Sequence, residues 1–159
     1  MTRLASEGIG VEADASLMPD EINAAYAWVE WPQREPHRLA AVSRASTWFA
    51  ARDASGELVG IARLVDDGGL HASLWDVLVR PDHQRRGVGR ALVEAALERC
   101  RDRRLVALVS TPAGVGFFER LGFTSQSHGH VAMYLRPHRL SARPQPDREP
   151  DQPPGGHAD

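Results

Sequence analysis

The 159-residue chain contains no lysine, and all 19 of its basic residues are arginine. Codon preference accounts for the bias, but the gap excludes a phosphate-binding P-loop, whose lysine reaches the β- and γ-phosphates. Cysteine is nearly as scarce: Cys100 stands alone, which rules out an internal disulfide and any cysteine-rich metal site. No pair of histidines has metal-ligand context, so no metal is expected. Long apolar runs are missing too. The longest, residues 24–29, is too short to span a membrane. The first fifteen residues lack the apolar stretch of a secretory signal, which predicts a cytoplasmic protein. Finally, there is no excess of positive charge. With 21 acidic residues the net charge is -2, which argues against a protein that coats nucleic acid through its phosphates.

What is present is the composition of one globular domain, 42% hydrophobic and 25% charged. The charge is unevenly spread. Residues 1–79 carry a balance of -6 and residues 80–104 a balance of +4. Such asymmetry points to an anionic ligand near the middle of the chain and a cationic one facing the first half. Residues 137–159 hold 6 of the 11 prolines and no large apolar residue after Leu140, the composition of a disordered tail. Residues 1–136 are then the working domain.

Local signals divide that domain into alternating elements. Residues 8–13 are strand-like, and Pro19, Asp20 and Glu21 open a helix predicted to reach Trp31, where Pro32 would stop it. A second helix covers about residues 37–44. Strand patterns follow at 47–52, 58–65 and 72–79, separated by Asp- and Gly-rich turns. Then the period changes. Val88, Leu92, Ala95, Ala96 and Cys100 recur at helical spacing, and residues 105–109 read as a strand covered on both faces. A short helix at 114–121 is stopped by Gly122, and a hairpin at 124–127 and 131–136 closes the domain. The strand–helix–strand piece 74–109 is a crossover unit, so its strands should run parallel. The fold class is α/β with a mixed, mostly antiparallel sheet.

The chemistry concentrates at residues 77–90. A strand ends at Val79, Pro81 breaks it, and the loop Gln84-Arg85-Arg86-Gly87-Val88-Gly89 enters the long helix. N–H groups of such a loop and first helical turn point outward, and the helix dipole favours an anion there. Gly87 and Gly89 keep side-chain bulk away, while Arg85, Arg86 and Arg90 add charged donors. The segment is suited to a pyrophosphate.

These residues also resemble a family. Gln84–Gly89 is similar to the coenzyme A signature Q/R-x-x-G-x-G/A of the GNAT superfamily of acyl-CoA N-acyltransferases, and the family's order of elements covers residues 8–136. Residues 58–63 with Asp67-Gly68, and Phe118-Glu119-Arg120-Leu121-Gly122-Phe123, are similar to its branch of small- and aromatic-amine acetyltransferases. The resemblance implies a GNAT fold with a splayed parallel strand pair and about four helices. It implies acetyl-CoA as co-substrate, its pantetheine running along Val77, Leu78 and Val79, and its pyrophosphate at Arg85, Arg86, Gly87, Val88, Gly89 and Arg90. Thr111 would meet the coenzyme from the other side, and Phe117 and Phe118 would cover its sulfur end. The expected partner is a small-molecule amine, with no nucleic acid and no membrane; a homodimer is compatible with the same reading.

Amine attack on a thioester needs a proton acceptor, donors for the developing oxyanion, and an acid for the leaving thiolate. Many members of the family use a tyrosine as that acid where this chain has Phe118. Three readings stay open: the thiolate leaves unaided, another group such as Tyr134, Ser110, His128 or His130 substitutes, or the protein binds acyl-CoA without turnover. Asp76, read as sharing a face with Leu74 and Leu78, is the candidate base, and pairing with an arginine is its structural alternative. Trp28 and Trp31, three residues apart, would share a helix face and with Glu30 and Glu35 cradle the amine.

Overall fold

The computed structural model describes residues 2–4, 8–125 and 132–133. The chain forms two units, Met1–Phe123 and Thr124–Asp159. Most of the predicted closing hairpin, with Tyr134, His128, His130, the boundary at residue 136 and the proline-rich tail, lies outside the described residues.

The first unit is built on a six-stranded sheet whose spatial order follows the chain order. Its strands are β1 (Thr2–Leu4), β2 (Ile9–Ala13), β3 (Thr47–Arg52), β4 (Leu58–Asp66), β5 (His71–Val79) and β6 (Leu105–Leu108). β1 to β5 are antiparallel neighbours; β5 and β6 are parallel, in the register His71–Leu105 to Leu74–Leu108. Four helices accompany the sheet: α1 (Pro19–Ala27), α2 (Pro36–Arg44), α3 (Val88–Arg99) and α4 (Val115–Glu119). The mixed sheet with a parallel pair is as the sequence predicts, and β1 is an addition.

Each face of the sheet has its own core. On one side, Val88, Leu92 and Ala96 of α3 pack on Phe49, Ala62, Leu64 and Leu74. On the other, Ile22 and Ala25 of α1 and Leu39 of α2 pack on Trp48, Ala50, Ile61 and Leu78. Fully burying side chains of this size contributes about 1.5–3 kcal/mol each, so both faces hold the sheet flat between helices. β6 departs from its prediction. Leu105 and Val109 are 57% and 54% exposed, because only Val106 and Leu108 face the α3 core. Just after α3, the Arg103 guanidinium grips Asp66 through two hydrogen bonds, 2.6 and 2.9 Å, fastening the turn before β6 to the end of β4.

Two local features position the site. First, α1 ends at Ala27 rather than Trp31. Glu30 adopts a left-handed conformation (φ 57°), and the Trp31 N–H donates back to the Tyr26 carbonyl at 3.0 Å. Pro32 therefore lies beyond an end already made. Second, β5 carries a bulge. Ile61 pairs with Leu78 and Arg63 with Trp75, so Asp76 and Val77 together oppose Ala62. Asp76 sits at φ 49°, a left-handed conformation that costs a non-glycine residue about 1–2 kcal/mol. The extra residue reverses the side-chain parity of the strand. Leu74 packs in the α3 core and Leu78 in the α1 core, so the single face expected for Leu74, Asp76 and Leu78 does not exist.

Beside the bulge, α3 approaches β4 closely at Gly60, where a Cβ would lie 2.9 Å from Leu92 and 3.2 Å from the Leu78 carbonyl. Gly60→Ala should destabilise the fold by about 1–3 kcal/mol through this overpacking. Denaturant unfolding checks it, and an unchanged midpoint would show that α3 can shift without cost.

Candidate active site

β6 ends at Leu108, whereas β5 runs on to Val79. Beyond the Leu74–Leu108 pair no described strand hydrogen-bonds to that side of β5, and the two parallel strands part. Into the gap opens a cavity of about 850 Å³. Its length is defined by residues 74–79 on one wall, residues 108–111 on the other, and the loop before α3 at one end. Half of the backbone N–H and C=O groups of the unpaired stretch of β5 face this opening, since alternate residues of a strand point their polar groups to opposite neighbours. Ligand sites at the carboxyl ends of diverging parallel strands follow from the same geometry.

The loop end has the features of an anion site. Arg85 (φ 60°) and Gly87 (φ 85°) are both left-handed, and Gly87 caps α3. Left-handed residues in a loop turn neighbouring N–H groups towards a common side, where the first turn of the helix adds its own free donors. Gln84 ties the loop to its strand, donating from Nε2 to the Val79 carbonyl at 3.1 Å. A Cβ on Gly89 would project between the Phe117 ring (3.4 Å) and Val79 (3.5 Å), filling the cavity floor. Arg85, Gly87, Gly89 and Arg90 line the cavity, and Arg90 also pairs with Glu94 at 2.7 Å. Two of the anticipated loop residues sit elsewhere. Arg86 is not on the cavity wall, and the Val88 side chain is buried in the α3 core, so only its backbone faces the loop.

The remaining coenzyme candidates converge. Val77, Leu78, Val79, Thr111, Phe117 and Phe118 all line the cavity, as does Ser110. Phe118 stands edge-on to Phe117 (4.8 Å between centroids) and to Phe123 (5.9 Å), an apolar cluster with no proton to give. These groups fit a thioester with a long apolar arm and a phosphorylated end. Among the described residues no cluster of three or more metal-binding side chains occurs.

At the other end the wall is Val29, Trp31, Trp75 and Asp76. Trp31 and Trp75 are 41% and 42% exposed, large apolar surfaces turned towards the cavity. Trp28 is not among its lining residues. The early end of α1 separates it from Trp31, and it packs against the α1 core instead, so the shared face expected for the two tryptophans is not formed. Trp31 rests on Tyr26 (5.7 Å), and the loop behind it is stapled to α1 by two hydrogen bonds of 2.9 Å between the Asn23 side-chain amide and the Arg34 backbone.

Asp76 is held from behind. Arg63 Nε donates to its Oδ2 at 2.6 Å, and the Tyr26 hydroxyl donates to the same oxygen at 3.3 Å. The Arg63 guanidinium is packed over the rings of Trp48 (5.6 Å) and Trp75 (5.9 Å). Burial, then the neighbouring Asp76 charge, pushes the Tyr26 phenol up to about 12, so it remains a donor at neutral pH. Arg63 and Tyr26 are the site residues that sequence reasoning missed. The available signal was a lone arginine in the otherwise apolar run of β4, which demands a buried carboxylate partner.

A sheet opened at its parallel pair above a glycine- and arginine-rich loop, with a long cleft between, suits a ligand with an extended arm and an anionic end. Comparison with known proteins narrows the class. The sequence pattern of the acetyltransferase (GNAT) family matches residues 15–123. Serotonin N-acetyltransferase 2, chloroplastic, of Oryza sativa subsp. japonica is 33% identical over 129 residues, covering 77% of this chain and 64% of its own. Histone acetyltransferase TAP1 of Glycine max is 32% identical over 122 residues, 69% of this chain and 53% of its own. A GNAT-family acetyltransferase structure from Streptococcus pneumoniae superposes with a TM-score of 0.66 at 25% identity, covering 80% of this chain and 99% of that one. The chain thus spans about half to two thirds of the length of these curated relatives. It belongs to the acetyltransferase (GNAT) family. Members of the family use acetyl-CoA as co-substrate.

The Tyr26–Asp76 contact is open to a direct test. Alkaline absorbance titration should show a phenol ionising near 12. Asp76→Asn should lower that value towards the ordinary 10, yet not fully, because burial is the larger cause. The raised value also sets a sign. Stability from the neutral phenol is complete below about 10 and is lost as pH rises through 12. A titration unaltered by Asp76→Asn would break the assignment.

Proposed function

We propose that this acetyltransferase moves the acetyl group of acetyl-CoA to the primary amine of a small molecule by direct attack. The observation that carries the reading is the single cavity in which an anion-binding loop and an aromatic-walled carboxylate stand at opposite ends. The pyrophosphate is held by the loop N–H groups, Arg85 and Arg90, and the pantetheine lies along residues 77–79 as an added strand would. The acetyl group then reaches the gap between the parallel strands, where unpaired N–H groups of β5 meet the developing oxyanion. The amine enters between Trp31 and Trp75, and Asp76 receives one of its hydrogens.

The leaving thiolate has no partner in Phe118. A thiol pKa near ~8.5 makes it a tolerable leaving group at neutral pH without an acid. Ser110 brings a hydroxyl to the cavity wall, but it already donates to the Thr111 carbonyl at 2.9 Å. Tyr134 remains a candidate acid from the sequence. A second reading has its own support: the similarity to the soybean histone acetyltransferase favours a protein amine as acceptor, which needs a wider cleft.

Free thiol released from acetyl-CoA across a panel of small amines and a lysine-containing peptide decides among these. Release with small amines, and little with the peptide, is expected. Coenzyme binding with no release from any acceptor would overturn catalysis in favour of a sensing role. Phe118→Tyr should leave acetyl-CoA affinity intact and not lower turnover; a collapse of affinity would show that Phe118 has another task.

A further inference from the structure

The acceptor end of the cavity carries a carboxylate that is already neutralised. Both hydrogen bonds to Asp76 fall on Oδ2, from Arg63 and from Tyr26. The side chain is only 10% exposed, and among the described residues Oδ1 has no partner, although Asp76 lines the cavity. One oxygen is therefore fixed from behind, and its twin is presented at the point where the strands part. The bulge dictates this aim, since the left-handed backbone at Asp76 turns the side chain to the α1 face, where Arg63 and Tyr26 stand.

The charges around Oδ1 do not favour a cation. Asp76 is the only acid among the described lining residues; Arg120 is also on the wall, while Arg85 and Arg90 belong to the loop at the far end. Arg63 lies directly behind it from β4, and Arg34, in the loop after α1, acts on Tyr26 from the same side. Glu30 and Glu35, expected to draw an ammonium inward, are not lining residues. An ammonium entering here would lose hydration without meeting a net negative charge. A neutral amine needs only what is offered: one acceptor for an N–H, which leaves its lone pair free to face the thioester.

We propose that the acceptor subsite selects primary amines in their uncharged form, with Arg63 and Tyr26 as positioning residues that commit one oxygen of Asp76 and leave the other as a neutral-paired acceptor. The proposal rests on the amine-acetylation reading of the same cavity and adds the protonation state of the substrate. Free-base selection makes weakly basic amines the preferred class at neutral pH, because the binding-competent fraction of a strong base is small there.

Two amines of nearly one shape test it: 2-phenylethylamine and its less basic 2,2-difluoro analogue. Binding is read by quenching of Trp31 and Trp75 fluorescence in the complex with unacetylated coenzyme A, so no turnover is involved. At pH 7 the difluoro amine should bind more tightly, by roughly tenfold for each unit by which its basicity is lower. The preference should fade as pH rises above both amines' own ionisation. Arg63→Gln, which leaves the Asp76 charge unbalanced, should shrink or reverse the preference. Should that variant fail to fold, Tyr26→Phe serves instead, weakening both amines several-fold while keeping their order. Equal affinities at pH 7, tighter binding of the more basic amine, or no saturable quenching by either would overturn the proposal. So would unchanged binding of both amines in Tyr26→Phe. A clear preference without thiol release from acetyl-CoA would leave this inference standing and remove the acetyl-transfer reading instead.

Discussion

One extra residue in β5 governs the molecule. By placing Asp76 and Val77 opposite Ala62, the bulge rotates the last turn of the strand so that odd and even positions exchange faces. Leu78 then completes the α1 core and Asp76 reaches Arg63, while Val77 and Val79 turn to the α3 side. The pairing of β5 with β6 ends at Leu74–Leu108, just before this bulge. A left-handed aspartate is the mildest non-glycine way to hold such a shape, since its short polar side chain tolerates that region. The Arg63 and Tyr26 bonds fasten it there.

The electrostatics follow from that constraint. Arg63 and Asp76 are both part-buried, and removing either partner leaves the other's charge poorly solvated and uncompensated. Arg63 also lies over two indole rings, so it links the sheet core at Trp48 with the cavity wall at Trp75. The opposite end of the cavity works by different means. There the free backbone donors of a helix start stand beside arginines, and one of these, Arg90, is already paired with Glu94.

Much of the architecture was legible in the sequence, and the errors share a cause. β3 and the body of α3 could be read because period, turn residues and glycine boundaries agree. The glycine- and arginine-rich loop before α3 was legible because its signal is carried by consecutive residues. Asp76 was named, but its face was misjudged, because alternation counting assumes that no residue is inserted. The end of α1 was misplaced because Glu30 adopts a left-handed conformation without the usual glycine, and with it went the pairing of Trp28 with Trp31. Arg63 and Tyr26 escaped because their meeting with Asp76 depends on the register between strands and on how α1 crosses the sheet. Neither is encoded by spacing.

The two cores on opposite faces of the sheet have a consequence for how such a protein changes over time. α3, which follows the glycine- and arginine-rich loop, packs on one face, while α1 and the stapled loop bearing Trp31 pack on the other. Substitutions that reshape the aromatic wall of the cavity therefore act through a different set of packed side chains from those that hold the loop. A lineage can remodel one end of the cavity by rewriting α1 and its loop, keeping the other end throughout. The sheet between them is the part that must stay constant, and its bulge is where both histories meet.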